Sequence, residues 1–248
     1  PRPMTWALVI GLAVLTALVG SVVLVPVARG VPATLTVTAI DVGQGDAILV
    51  EGAGARILVD AGPDEDAVAD WLRRRGIGRL DLVVLSHPHA DHGGGMAAVL
   101  DTATVGGLWL RTVEVDDSLE SELRSVAAAA GVPVHEPVAG QRASLGGLGV
   151  HVLAPARGRP HAGVDAEANE MSLVLRVDQG DRRALLTGDV EAEAQAVLLR
   201  SRPALRAGLL KVPHHGSATT DPAFLRAVGA QVALVSAGRG NDYGHPHP

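Results

Sequence analysis

Residues 86–95, SHPHADHGGG, constrain this chain more than any other stretch. The run before them, residues 80–85 (LDLVVL), is apolar and rich in Val and Leu, the composition of a strand buried on both faces. Pro88 cannot extend a sheet, and Gly93, Gly94 and Gly95 allow a sharp exit. Between these breaks stand His87, His89, Asp91 and His92, four metal-ligand side chains that a loop at a strand's end can curl around one point. Imidazole and carboxylate suit Zn, Mn or Fe, and the chain has no Cys to make a thiolate site. An ordinary polar turn would favour Gly, Asn, Asp and Ser over three His.

Composition narrows the function classes. The 248 residues suffice for one large domain, or a domain with an appendage. A net charge of −6 argues against a broadly basic surface that coats nucleic acid. Aromatics at 2% are too few for base-stacking platforms, so any nucleic acid handled here must be held by metal and local Arg or Lys. Arg carries nearly all the positive charge, and Lys211 is the only lysine. A start at Pro1 without Met, and a stop at Pro248 inside an apparent motif, suggest a piece of a longer protein.

Residues 4–27 contain no charged side chain, and roughly 20 helical residues cross a bilayer core. They read as a transmembrane helix, the last of several in a parent protein; Arg2 and Arg29 flank it too evenly to orient it. A linker follows, and the soluble part begins near Thr34. Strands are expected at 35–39, 47–50, 56–59, 80–85, 105–110, 132–138, 149–153, 173–177, 184–186, 209–212 and 232–235. Helices are expected at 64–75, 94–100, 118–130, 191–200 and 222–228, the last capped by Asp221. Residues 156–168 read as loop. Strands interleaved with helices give an α/β class.

Further polar clusters fall at predicted strand ends, where ligands collect in layered α/β folds. Asp189, in Thr187-Gly188-Asp189, is either a ligand or the cap of the next helix. His214 and His215 follow an apolar strand and precede Gly216 and Ser217, an improbable core feature. Lys211 stands near a substrate phosphate or simply survives in an Arg-biased sequence. Residues 236–247 hold Asn241, Tyr243 and His245, groups suited to substrate contact or to protonating a leaving oxygen. Asn169 and Ser172 are notable for their position, and Asn169 could equally be a turn residue.

The H-x-H-x-D-H run is that of the metallo-β-lactamase superfamily. The ordered set DVGQGDAILV, LVDAG, SHPHADHGGG, NEMS, LLTGD, LLKVPHHGS and GRGNDYGHPH resembles the C-terminal metallo-β-lactamase-like domain of the ComEC family of competence proteins, across residues 33–248. The resemblance implies an α/β fold, an αββα sandwich over residues 31–248, preceded by one transmembrane helix and linker in residues 1–30. It implies two divalent metal ions, Mn or Zn. His87 and His89 would hold one ion, Asp91, His92 and His214 the other, with His215 in reserve and Asp189 bridging. Asp91 and His245 would act in catalysis, and Lys211, His215, Ser217, Asn241 and Tyr243 would contact substrate. Asp46, Asp60, Asn169 and Ser172 would support the ligands from behind.

The implied activity is a nuclease on the extracytoplasmic side of the cell membrane, hydrolysing one DNA strand while the other enters. Its partners would be DNA, the membrane and competence proteins that deliver DNA. One departure stands out: the superfamily usually supplies a further metal His before the bridging Asp. The candidates His135, His151 and His161 lack the expected setting, and N-x-x-S stands there instead. Two rival expectations remain: a membrane-anchored hydrolase of small esters, such as a phosphorylcholine esterase or lactonase, and a degenerate domain that only shapes a channel mouth.

Overall fold

The computed structural model describes residues 30–111, 118–157, 165–201 and 205–248. In chain order the first half contributes β1 (Thr36–Ala39), β2 (Ile48–Gly52), β3 (Ala55–Val59), α1 (Ala67–Arg74), β4 (Arg79–Leu80) and β5 (Leu82–Val84). It continues with α2 (Ala90–Gly93), α3 (Met96–Thr102), β6 (Thr104–Val105), β7 (Leu108–Trp109), α4 (Ser118–Ala130) and β8 (Val134–His135). The second half contributes β9 (Arg142–Leu145), β10 (Leu148–Ala154), α5 (Asp165–Glu170), β11 (Val174–Gln179) and β12 (Arg182–Leu186). Then come α6 (Ala192–Ser201), β13 (Leu209–Lys211), α7 (Pro222–Val228) and β14 (Val232–Leu234).

Two six-stranded sheets form, ordered β1-β2-β3-β5-β7-β8 and β14-β13-β12-β11-β10-β9. Strand periodicity decides what fills the space around them, because successive side chains point to opposite faces. Ile48, Val50, Ile57, Val59, Leu82 and Val84 meet Val150, Val152, Leu175, Val177 and Leu186 between the sheets. The alternate residues Leu49, Leu58, Val83 and Leu85 pack outward on Leu72, Met96, Val99, Leu100 and Leu123 of the helices. On the other side Val174, Leu185 and Leu210 meet Ala194, Leu198, Phe224 and Val228. Helices therefore cover the outer face of each sheet, and the expected α/β sandwich is the fold observed.

Some local expectations need correction. Residues 80–85 and 105–110 do not form single strands: Asp81 accepts the Arg56 amide through its side chain (2.9 Å), which interrupts the run and leaves β4 to pair with β6. Residues 90–93 make a helical turn inside the motif, where a loop was expected. Strand β9 has no apolar run to announce it, and residues 165–170 are helical rather than loop. Asp221 caps α7 as expected, accepting the Ala223 amide at 2.7 Å.

Residues 4–27 and His161 lie outside the described residues, so the expected membrane span does too. Among the described residues no helix is long and apolar enough to cross a membrane.

Phe224, the only Phe, is fully buried between α7 and the second sheet. Phe224→Ala should cost about 3–5 kcal/mol of stability, whereas exposed Val235→Ala should stay within about 0.5 kcal/mol, both read by urea unfolding.

Candidate metal centre

The centre assembles where strands end. β3 runs into Asp60, β5 into Ser86 and His87, β12 into Asp189, and β13 into Lys211 and the 213–216 turn. Asp60 holds a positive φ of 62°, sparsely populated for any residue with a side chain but better tolerated by Asp than by most. From there its carboxylate accepts three hydrogen bonds: the Ser86 amide at 2.7 Å, the Ser86 hydroxyl at 2.8 Å and His92 Nδ1 at 2.8 Å. One buried acid thus ties β3 to the motif loop and turns His92 Nε2 toward the cluster.

His92 Nε2 lies 3.2 Å from Asp189 Oδ2 and 3.9 Å from Asp91 Oδ2. From the opposite side His215 Nε2 lies 3.2 Å from the same Asp189 oxygen and 3.3 Å from Asp91 Oδ2. His215 Nδ1 donates to the Ser236 carbonyl at 2.7 Å, fixing the ring. His92 Nε2, His215 Nε2 and Asp46 Oδ1 are buried yet make no hydrogen bond. Orphaned buried polar atoms are costly, and these belong to ligand groups facing one another. Tetrahedral ligands about 2.1 Å from an ion stand about 3.4 Å apart, so the Asp91, His92 and His215 atoms, all within 4.8 Å of one another, suit a divalent cation, with Asp189 Oδ2 3.2 Å from both imidazoles.

A second group adjoins the first. Ligand atoms of His87, His92 and Asp189 all lie within 4.8 Å of one another, and His87 Nε2 is 3.1 Å from His89 Nδ1. Burial, then the charge on His92, holds the His87 imidazole well below its ordinary pKa, leaving it neutral and able to bind metal. His92 is common to both groups, and Asp189 stands 3.2 Å from His92 and His215 alike. Its amide donates to the Ser172 hydroxyl at 3.2 Å, and Ser172 donates to the Asn169 carbonyl at 2.7 Å. Gly188 makes this approach possible: its φ is +52°, and a Cβ there would fall 2.8 Å from the Ser172 Cβ.

Lys211 departs most from expectation. Instead of reaching toward a substrate phosphate, its ammonium is buried against the Asp46 carboxylate, 3.2 Å from Asp189 Oδ1 and 3.0 Å from the Gly188 carbonyl. Burial would lower its pKa, but the charges of Asp46 and Asp189 raise it, so it stays cationic. Burial likewise opposes the charged forms of Asp46 and Asp189, and neighbouring cations keep both carboxyls low all the same. His92 is raised by Asp189 and Asp60 against burial, and His215, also against burial, is pushed up to about 11 by its carboxylate contacts. A metal binding here would displace these protons, so its apparent affinity should rise with pH.

His214 and His215 exchange the places expected of them. Both have positive φ, 45° and 53°, and the turn sends them in different directions. His215 enters the cluster, while half-buried His214 sits at the rim, Nδ1 3.0 Å from Glu191 Oε1 and Nε2 3.9 Å from Asp189 Oδ2. The Asn169 side chain faces Glu191, donating from Nδ2 at 3.0 Å, while its carbonyl holds the Ser172 hydroxyl behind Asp189. Nothing in the sequence separated Glu191 from the first residues of α6.

The remaining residues expected to contact substrate, Ser217, Asn241 and Tyr243, lie in two turns beside the centre. The Ser217 hydroxyl accepts the Thr219 amide within its own turn at 3.3 Å. Asn241 donates to the Gly238 and His245 carbonyls and accepts the Tyr243 and His245 amides, which folds residues 238–245. Tyr243 is 71% exposed and stacks on His245, whose ring is 5.4 Å from that of His214. His151 pairs with Asp178 on β10 and β11 at 3.3 Å, and His135 lines a cavity with Trp109 and Arg142.

A sandwich of two sheets carrying paired His and Asp ligands at its strand ends defines a class, and the chain belongs to the metallo-β-lactamase superfamily, whose family model matches residues 40–239. Among curated proteins it is similar to ComE operon protein 3 of Bacillus subtilis, 31% identical over 229 residues, covering 84% of this chain and 29% of that protein. It is also 31% identical to Competence protein ComA of Neisseria gonorrhoeae, over 85% of this chain and 28% of that protein. The chain thus spans less than a third of these relatives. Among solved structures, the metallo-β-lactamase fold protein YhfI from Bacillus subtilis shares the fold, with a TM-score of 0.58 at 14% identity, covering 84% of this chain and 87% of that one.

Asp60→Asn keeps a residue that tolerates the backbone but loses an acceptor for Ser86 or His92. The variant should fold and bind Mn²⁺ or Zn²⁺ about 10–100-fold more weakly in a calorimetric titration. His215→Ala should weaken binding more than His214→Ala does.

Proposed function

We propose that this domain is a divalent-metal-dependent nuclease that hydrolyses phosphodiesters of DNA during uptake, anchored in a cell membrane by residues 4–27 and facing outward. The observation that carries this reading is two adjoining clusters of ligand-type side chains, one of His87, His92 and Asp189 and one of Asp91, His92 and His215, joined by His92 and by the 3.2 Å approach of Asp189 to His215. The choice of DNA as substrate follows the resemblance of residues 33–248 to the ComEC family and accords with a relative named Competence protein ComA.

His87, His89, Asp91, His92, Asp189 and His215 would hold two divalent ions, Mn or Zn. Such ions supply Lewis acidity toward a phosphoryl oxygen and lower the pKa of water. The protein's own groups keep the geometry: Asp60 fixes His92, Ser172 fixes the Asp189 amide, and Lys211 takes Asp189 Oδ1 and leaves Oδ2 to the centre. Burial, then the charges of His214 and His215, lowers the His245 pKa. A neutral imidazole at the rim suits a proton acceptor better than the donor role suggested by sequence.

The test incubates the full chain with end-labelled duplex DNA and Mn²⁺, beside Asp189→Ala and His89→Ala. Metal-dependent cleavage should fall more than about 100-fold in both variants, beyond the loss expected of a residue that merely supports a ligand, and EDTA should abolish it. Intact DNA with turnover of bis(p-nitrophenyl) phosphate would replace DNA by a small phosphodiester. Intact DNA and no metal uptake would refute the hydrolase.

A further inference from the structure

We infer that the end of the domain opposite the metal centre is a docking face for anionic phospholipid headgroups, which turns the centre away from the bilayer. The inference rests on the membrane anchoring proposed above.

Strand direction separates the two ends. β12, β13 and β14 are parallel, and the first two run toward Asp189 and Lys211. At their starting ends lies a cavity of about 480 Å³ whose wall includes Arg182, Arg183 and Arg206 with Leu35, Val37 and Asp181. The three arginines are exposed, and none has an ion pair among the described residues. Asp181 shares the wall and Asp178 stands opposite Arg183 but is paired with Arg176, so in a chain of net charge −6 the described residues leave a local excess of guanidinium, a group suited to phosphate oxygens.

The same end receives the chain from its apolar segment. Gln179 Nε2 donates to the Ala33 carbonyl at 2.7 Å, pinning the entry to the turn between β11 and β12 beside Arg182. Leu35 follows Val27 by eight residues, at most about 28 Å of extended chain. The headgroup layer adds roughly 5–7 Å beyond the hydrocarbon, so the arginines lie within reach of lipid phosphates. Each would add roughly fivefold to affinity for an anionic surface, an effect that salt screens. A path for DNA is less favoured at this end, which is remote from Asp189 and where the chain enters.

The absence of Cys makes Gln231→Cys, on the cavity wall, a single labelling site for a fluorophore. The labelled full chain is reconstituted into vesicles of phosphatidylcholine alone or mixed equally with phosphatidylglycerol, each carrying a headgroup quencher. Quenching should deepen in the anionic vesicles, and that gain should vanish in Arg182→Glu/Arg183→Glu/Arg206→Glu and at high salt. The three sites are exposed, so the variant's thermal midpoint should match the parent's. Equal quenching in both lipids, or a gain that survives in the triple variant, overturns the docking face. So does relief of quenching by added duplex DNA, which would assign the arginines to nucleic acid. Flotation tests the anchor separately: a chain that leaves neutral vesicles but stays, through these arginines, with anionic ones refutes the anchor and keeps the face. A chain that floats with neither refutes both.

Discussion

Four carboxylates, Asp46, Asp60, Asp91 and Asp189, converge at the strand ends, and three of them are buried. Negative charge at this density cannot remain in a protein interior without compensation. Part of the compensation is permanent: the Lys211 ammonium contacts Asp46 and Asp189 and cannot leave. The rest comes from imidazoles, which hold protons in the metal-free protein and are the groups a metal would recruit. The two oxygens of Asp189 divide accordingly, Oδ1 to Lys211 and Oδ2 between His92 and His215. A single lysine in an otherwise Arg-based chain fits this place, because a compact ammonium on a flexible stem packs where a planar guanidinium would not.

The sandwich makes this convergence possible. Alternating apolar residues fill one layer between the sheets and one beneath each helical face, so the strands are rigidly placed. β3 and β5 are parallel neighbours in one sheet, and β12 and β13 in the other. Ligands leaving strands of the same direction stay together, and this is why Asp60 can reach Ser86 and Thr187 Oγ1 can donate to the Lys211 carbonyl at 2.8 Å.

How far the sequence foretold this differs with the kind of information. The motif 86–92, the Asp189 corner and the apolar strands were readable because each is carried by local pattern: ligands at short spacing, Gly before Asp, hydrophobic alternation. The choice between His214 and His215 was not, since adjacent residues share every local property and only the positive φ of both decides which one faces inward. Lys211 was misjudged for a related reason. Its partners lie 165 and 22 positions away along the chain, and a basic residue beside a presumed phosphate site reads as a substrate contact until the carboxylates appear. Strand β9 escaped because RASL has no apolar run and is defined only by pairing with β10.

Strain at the centre explains the role of the C-terminal segment. Asp60, His214 and His215 all adopt positive φ, a conformation that persists only when the surroundings over-determine it. For Asp60 three hydrogen bonds suffice. The 213–216 turn has no comparable side-chain anchor of its own, and residues 236–247 supply one. The Ser236 carbonyl accepts His215 Nδ1, its hydroxyl donates to the Gly45 carbonyl at 2.6 Å, and the His247 amide donates to the Gly216 carbonyl at 2.8 Å. The Gly238 amide donates to Gln44 Oε1 at 2.9 Å, which closes the clasp on the 41–46 turn. That turn is itself locked against the motif: the Asp46 amide donates to the Asp91 carbonyl at 3.1 Å, and a Cβ on Gly45 would collide with the same oxygen. Three loops distant in sequence therefore hold one another in register, and the C-terminal segment forms a wall that keeps the strained His215 aimed at Asp91 and Asp189.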